Sequence, residues 1–178
     1  MKTEDDSSWQ EWVRAAMREH EGPLVRYAAS ITGDLEQARD VVQDTFLRFC
    51  AQHPTRLQGH VAEWLFTVCR NRALDVRRKE SRMQPLSDNQ LACCASADPQ
   101  PSAAAEHAEA TSRALALLAT LPDNQREVVR LKFQNGLSYR EISRITNLSI
   151  SNVGVLIHTA IKTMRQQFQA MEGVSHET

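Results

Sequence analysis

The groups best able to hold a charged ligand are clustered. Residues 65–82 carry Arg70, Arg72, Arg77, Arg78, Lys79 and Arg82 against Asp75 and Glu80, a net charge of +4, with the amide of Asn71 among them. Residues 139–165 carry Arg140, Arg144, Lys162 and Arg165 against Glu141, a net of +3. Between these zones, residues 83–110 hold four acids and no Lys or Arg, although the whole chain is nearly neutral at −1. Two basic zones with an acidic spacer offer a phosphate backbone two places to lie. Bond-making chemistry has no comparable support. The sequence shows no Gly-rich phosphate loop, no metal-ligand cluster and no nucleophile–base pattern. His158 falls in a helical segment without a plausible partner, and the four cysteines include no Cys-x-x-Cys pair. Neither zinc nor a disulfide framework is indicated, so the expectation is a non-enzyme with no metal and no cofactor. Cys50 and Cys69 sit in apolar helical patterns and read as core. Cys93-Cys94 reads as a chance pair in a flexible segment rather than a redox sensor.

Helices must position these groups. Helix formers abound, and there are only 6 Gly and 6 Pro in 178 residues. The expected fold is all-α: two small helical domains, residues 1–82 and 106–178, joined by an acidic flexible linker over 83–105 that holds Pro85, Pro99 and Pro101. Ser8-Trp9-Gln10-Glu11 reads as a capping box, Gly22-Pro23 as a break before a second helix to Thr32, and Gly33 as its C-terminal stop. Asp34-Leu35-Glu36-Gln37 reads as another capping box, opening a helix that turns Leu35, Ala38, Val42, Phe46 and Phe49 to the core. Pro54 ends this stretch and a loop covers about 53–60. A helix over about 61–79 points Trp64, Leu65, Val68, Cys69 and Leu74 inward. The N-terminal stretch is acidic, and no apolar run approaches the ~20 residues of a membrane span. A cytoplasmic protein without membrane insertion is expected.

The second domain ends in a short helix, a tight turn and a longer helix. Leu115, Leu117, Leu118 and Leu121 mark a helix that stops at Pro122. Val128, Val129, Leu131 and Phe133 mark another over 123–135, closed by Gly136. Ser138-Tyr139-Arg140-Glu141 is a capping box, Asn147-Leu148-Ser149 a turn, and Val153, Ile157, Ala160, Met164 and Phe168 one stripe of the last helix, from Ile150 to about Ala170. This is the pattern of a helix-turn-helix, whose second helix enters the major groove N-terminal end first. That end offers Ser149, Ser151 and Asn152; Asn can make two bonds to the edge of an adenine, and Ser can reach phosphate or base. An ordinary helical hairpin is the blander reading, against which the capping box, the turn length and the flanking cations agree. In the first domain, Asp40, Gln43, Asp44 and Leu47 recur at i, i+3, i+4 and i+7 on a face apart from the apolar stripe. A Leu beside two carboxylates and an amide suits a partner helix; the residues alone leave open a plain solvated acidic face.

Longer stretches carry a family resemblance. Asp34-Leu35-Glu36-Gln37 through Thr45-Phe46-Leu47-Arg48-Phe49 resembles the segment with which bacterial sigma factors dock on the RNA polymerase clamp. Ala62-Glu63-Trp64-Leu65 through Asp75-Val76-Arg77-Arg78 resembles the segment that reads and melts the minus-ten element. Leu121-Pro122-Asp123-Asn124 through Arg140-Glu141-Ile142 resembles the minus-thirty-five reader. The pieces stand in the family's order, with a spacer between, and the chain resembles the extracytoplasmic-function (ECF) subfamily over nearly its whole length. The resemblance implies a factor that binds core RNA polymerase and promoter DNA and directs promoter-specific initiation. It implies polymerase docking by Asp40, Gln43, Asp44 and Leu47, and minus-ten contacts by Arg70, Asn71, Arg77, Arg78 and Lys79. It implies minus-thirty-five contacts by Arg140, Ser149, Ser151, Asn152, His158 and Lys162. The 53–60 loop is similar to one that holds a flipped base, and the acidic linker to a connector that threads toward the active cleft. Members are commonly held inactive by an anti-sigma protein, which the resemblance implies as a partner here. Trp64 is a candidate platform for an unstacked base, but its helical spacing reads as core.

Two features depart from the family. The last helix reads Val153-Gly154-Val155-Leu156-Ile157-His158-Thr159-Ala160-Ile161 where members usually place several Lys and Arg, and Arg39 stands where an acid is common. Fewer phosphate contacts imply weak DNA binding by this domain alone, with tethering to polymerase supplying affinity. The competing readings are a helix-turn-helix regulator acting without polymerase docking, and a protein-interaction module, the latter favoured if the apolar face of the last helix is exposed.

Overall fold

A computed structural model of the chain describes residues 2–57, 59–83 and 103–174. Helix α1 (Lys2–Thr32) runs through both Ser8 and Gly22-Pro23, where the sequence predicts a start and a break. The buried residues Val13, Ala16, Leu24, Tyr27 and Ala28 keep one helical phase across the proline. An interior proline costs roughly 3 kcal/mol. Burying each large side chain offsets roughly 1.5–3 kcal/mol, and Leu24 and Tyr27 are both deeply enclosed. Gly22 also lacks the Cβ that would clash with the proline ring. Gly33 ends α1 as expected, with φ +78° and its N–H on the Ala29 carbonyl at 2.9 Å.

Asp34 caps α2 (Leu35–Cys50), accepting the Gln37 N–H at 2.8 Å. The expected box is only half made, because the Gln37 side-chain amide donates to Glu80 of α4 (Val61–Met83) instead of reaching back. Ala38, Val41, Val42, Phe46 and Phe49 are buried, as is Thr45, whose hydroxyl donates to the Val41 carbonyl at 2.8 Å. Leu35, expected inside, is exposed: it has the phase of the stripe but sits at the helix's first residue, where the stripe runs out of neighbours. The 53–60 stretch contains a short helix, α3 (Pro54–Leu57), opened by the proline and anchored by buried Leu57. Helix α4 buries Leu65, Phe66, Cys69 and Ala73, while Trp64, Val68 and Leu74 are half-buried. Trp64 leans on Phe49 with ring centroids 5.8 Å apart, so its core reading holds. Burial pushes the Cys69 thiol up to about 12, against a smaller lowering by its hydrogen bond with Thr45.

Helices α1–α4 form one compact unit. The other holds α5 (Ala103–Ala119), α6 (Asp123–Val129), α8 (Ile150–Val174) and the start of α7 (Tyr139–Thr146). Its core includes Leu118, Leu121, Val129 and Ala160, with Leu115 and Met164 packed against them. The helix expected over 123–135 is not uniform: α6 passes into a wider π turn at Arg130–Gln134, which keeps Leu131 buried and leaves Phe133 exposed. Every element among the described residues is helical. Of the expected linker, Met83 belongs to α4 and α5 begins at Ala103; residues 84–102, with Cys93-Cys94, lie outside the described residues.

Cys69 is expected to resist iodoacetamide in the native protein near pH 8 and to react once guanidinium unfolds the chain, read by peptide mass spectrometry. Equal labelling before and after unfolding would place the thiol at the surface. Because the folded state holds the protonated thiol, its contribution to stability is complete below the ordinary thiol range and declines as pH rises from there toward about 12.

Candidate nucleic-acid interface

The helix-turn-helix is built from local hydrogen bonds. The Ser138 N–H donates to the Glu141 carboxylate at 2.7 Å, and the Glu141 N–H donates to Ser138 Oγ at 3.3 Å, a complete capping box. Lys132 Nζ donates to the Leu137 carbonyl at 3.2 Å and lies 5.5 Å from the centre of the Tyr139 ring, fixing the entry to α7. The turn after α7 places Asn147 at φ +58°, a left-handed conformation that Asn tolerates better than most residues. The Leu148 N–H donates back to the Ser143 carbonyl at 3.1 Å. Ser149 then caps α8, its Oγ accepting the Asn152 N–H at 3.2 Å. Ser149 is therefore a helix cap first and keeps its O–H proton and one lone pair for a ligand. Ser151, Asn152, His158 and Lys162 are exposed along α8, and Arg140 is exposed in the first turn of α7. Val153, Ile157 and Ala160 are buried behind them.

On α4, Asn71, Arg77, Arg78 and Lys79 are exposed and Arg70 is half-buried. At about 100° per residue, Arg70 and Arg77 share one line of the helix and Asn71 and Arg78 the next, whereas Lys79 turns about 100° beyond Arg78. The helix thus sets Asn71 and Arg78 in the middle of its solvent face, with Arg70 and Arg77 on one flank and Lys79 on the other. Asp75, between the two lines and the end, lies 3.6 Å from Arg78.

On α2, Asp40, Gln43 and Leu47 are exposed, Leu47 by 67%, opposite the buried stripe. Asp44 is half-buried and paired with Arg48 at 3.2 Å and with Arg72 of α4 at 3.1 Å. Arg72 is the residue that sequence reasoning missed. Its only signal was a charge opposite to that of Asp44, and no helical spacing links residues on different helices. Arg39, the departure from the family pattern, pairs with Glu36 at 2.6 Å on the exposed surface.

The second unit also carries an apolar groove of about 540 Å³, lined by Leu115, Leu118, Val129, Phe133, Met164 and Phe168 among others. Phe168, expected to face inward, is exposed on the wall of this groove, which α5 and α6 leave open. Among the described residues no group of three or more His, Cys, Asp or Glu is placed to hold a metal ion. No described helix is long and apolar enough to cross a membrane.

These surfaces define a two-module helical protein with a C-terminal helix-turn-helix. Sigma-70 region 2 matches residues 16–83 and Sigma-70 region 4 matches residues 112–164. The ECF RNA polymerase sigma factor SigL of Mycobacterium tuberculosis is 33% identical over 165 residues, covering 89% of this chain and 90% of that protein. The ECF RNA polymerase sigma factor SigM of Bacillus subtilis is 30% identical over 156 residues, covering 86% and 92%. The chain belongs to the ECF sigma factors of RNA polymerase. Its fold is shared with CnrH, solved in complex with the cytosolic domain of CnrY, at a TM-score of 0.59 and 23% identity over 90% of each chain.

The Asp44–Arg72 pair is expected to contribute to stability as well as to line a surface. A double-mutant cycle with Asp44→Ala and Arg72→Ala, followed by urea unfolding, should give a coupling of about 0.2–1 kcal/mol, the range for partly exposed pairs. Additive losses would mean that the pair does not hold α2 to α4.

Proposed function

We propose that three surfaces of this chain divide the work of a sigma factor, which is to bind core RNA polymerase and direct promoter-specific transcription initiation. Asp40, Gln43, Asp44 and Leu47 on α2 dock on polymerase. Arg70, Asn71, Arg77 and Arg78 on α4, with Lys79 at their edge, hold the minus-ten DNA. Arg140, Ser149, Ser151, Asn152, His158 and Lys162 hold the minus-thirty-five DNA. Residues 1–82 and 106–178 are the two working domains, and residues 83–105 connect them. The observation that carries docking is Leu47, a large apolar side chain two-thirds exposed (67%) on the face opposite the core. A solvated acidic face has no use for it, and a regulator acting without polymerase leaves it unexplained. The chain does no bond-making in this scheme, since polymerase supplies the catalysis, and it works in the cytoplasm where polymerase meets the chromosome. The apolar groove of the second unit supports a protein partner. CnrH, of the same fold, forms a complex with the cytosolic domain of CnrY, and an anti-sigma protein is the partner proposed here.

Run-off transcription from genomic fragments with purified core polymerase tests this reading. The wild-type chain should yield discrete start sites that core polymerase alone does not. Leu47→Asp should keep its helical circular dichroism and lose core affinity by about 30-fold or more, the scale of an interface hot spot. Asp44→Arg is the poorer probe, because it also breaks the pair with Arg72. Wild-type core binding by folded Leu47→Asp would remove α2 from the docking surface.

Promoter melting should depend on the solvent face of α4. Asn71→Ala and Arg78→Ala are expected to reduce the permanganate-reactive bubble several-fold more than they reduce initial promoter binding, at about 0.5–3 kcal/mol per lost hydrogen bond. Lys79→Ala, at the flank of that face, should have the smaller effect. An unchanged bubble in the first two variants would contradict the assignment.

A further inference from the structure

Among the exposed residues of helix α8 that the DNA contacts assigned above do not use, one is both apolar and set among those contacts. Val155 is 62% exposed. At about 100° per residue it lies within about 60° of Ser151, Asn152, His158, Thr159 and Lys162, all of them exposed. It stands about 140–180° from Val153, Ile157, Ala160 and Met164, which face the core of the unit. Val155 is thus the centre of the face that a helix-turn-helix presents to a groove, and the one wholly apolar member of it. Its flanking neighbours Gly154 and Leu156 are half-buried. A β-branched side chain lowers helix propensity, and at this exposure the core gains nothing in return. Valine in a helix also holds essentially one χ1 rotamer, so its two methyl groups are fixed in place before any ligand arrives. The edges of base pairs in the major groove are donors and acceptors with one apolar feature, the C5-methyl group of thymine.

We propose that Val155 is a specificity-determining residue of the minus-thirty-five reader, making van der Waals contact with the C5-methyl of one thymine in that element. The inference rests on the helix-turn-helix reading of α7 and α8 and extends it from polar to apolar readout. It also suits a recognition helix with few cations. A methyl contact discriminates between base pairs without releasing counterions, so it adds selectivity where phosphate contacts are scarce.

The test uses holoenzyme assembled from core polymerase and the full chain, titrated against a promoter mapped by run-off transcription. Each thymine of the minus-thirty-five element is replaced in turn by deoxyuridine, which keeps every polar edge and removes only the methyl group. With the wild-type chain, one replacement should lower promoter affinity about fourfold, the scale of burying a single methyl group. In Val155→Ala and in Val155→Ser, both exposed changes checked for helix content, the natural promoter should bind correspondingly more weakly and the same replacement should have no further effect. Deoxyuridine effects that are absent in the wild type, or equal in wild type and both variants, overturn the proposal. Asn152→Ala separates the two levels. If it alters minus-thirty-five preference while no replacement couples to Val155, the valine contact alone is wrong. If it leaves that preference untouched, the helix-turn-helix reading fails and takes this inference with it.

Discussion

The ring of Phe49 is where three helices of the first unit meet. Trp12 of α1 stacks on it at 4.4 Å, Trp64 of α4 leans on it at 5.8 Å, and Phe46 meets it edge-on at 6.3 Å. Each such aromatic pair contributes about 0.5–1.5 kcal/mol beyond its buried area. More consequential is the direction this imposes. With Phe49, Phe46, Val42 and Ala38 turned inward, the opposite line of α2 has to carry Asp40, Gln43 and Leu47 outward. With Leu65, Phe66, Cys69 and Ala73 inward, α4 has to show Asn71 and Arg78 to solvent. The proposed binding surfaces are the complement of the core, and any change that rotated a helix to repack Phe49 would move them.

The two surfaces of the first unit are also tied to each other. Asp44 belongs to the line of α2 proposed to face polymerase, yet its carboxylate holds Arg72 on the helix proposed to face DNA. Gln37 and Glu80 make a second bond between the same two helices. A protein that must seat on a large enzyme and hold melted DNA at a set place beside it gains from such cross-links, because positioning is lost when the supporting elements slide. Part of the acidic line on α2 is therefore structural support, and Leu47 is its least committed member.

Charge distribution separates the roles of the two modules. The first concentrates its cations on α4, while α8 shows a face of hydroxyls, one amide, one imidazole, one lysine and a valine. Affinity for duplex DNA depends mainly on neutralised phosphates, and selectivity on base edges. A module poor in the former can still select among sequences when polymerase holds it next to the promoter, since tethering replaces affinity by local concentration. On that division the second module contributes choice of promoter and the complex contributes the strength of binding.

Much of this was legible from residue order. Helical periodicity placed Ala38, Val42, Phe46 and Phe49 on one face and Asp40, Gln43 and Leu47 on another; Gly33 and Gly136 marked ends, and Ser138 with Glu141 marked the start of α7. Such features are local, set by bonds between residues a few positions apart, so the sequence by itself determined most of the helices, the ends at Gly33 and Gly136, the box at Ser138, the turn at Asn147 and the outward faces. What it left open depends on what a side chain meets across space. Gly22-Pro23 stays helical because the packed stripe on either side outweighs one missing hydrogen bond. Gln37 chooses Glu80 over its own backbone, and Asp44 finds Arg72. Helix α6 widens at Arg130–Gln134, and Phe168 has the phase of the buried stripe but borders an open groove. Periodicity reports the direction in which a side chain points and carries no information on whether another element stands there; only the tertiary structure decided that.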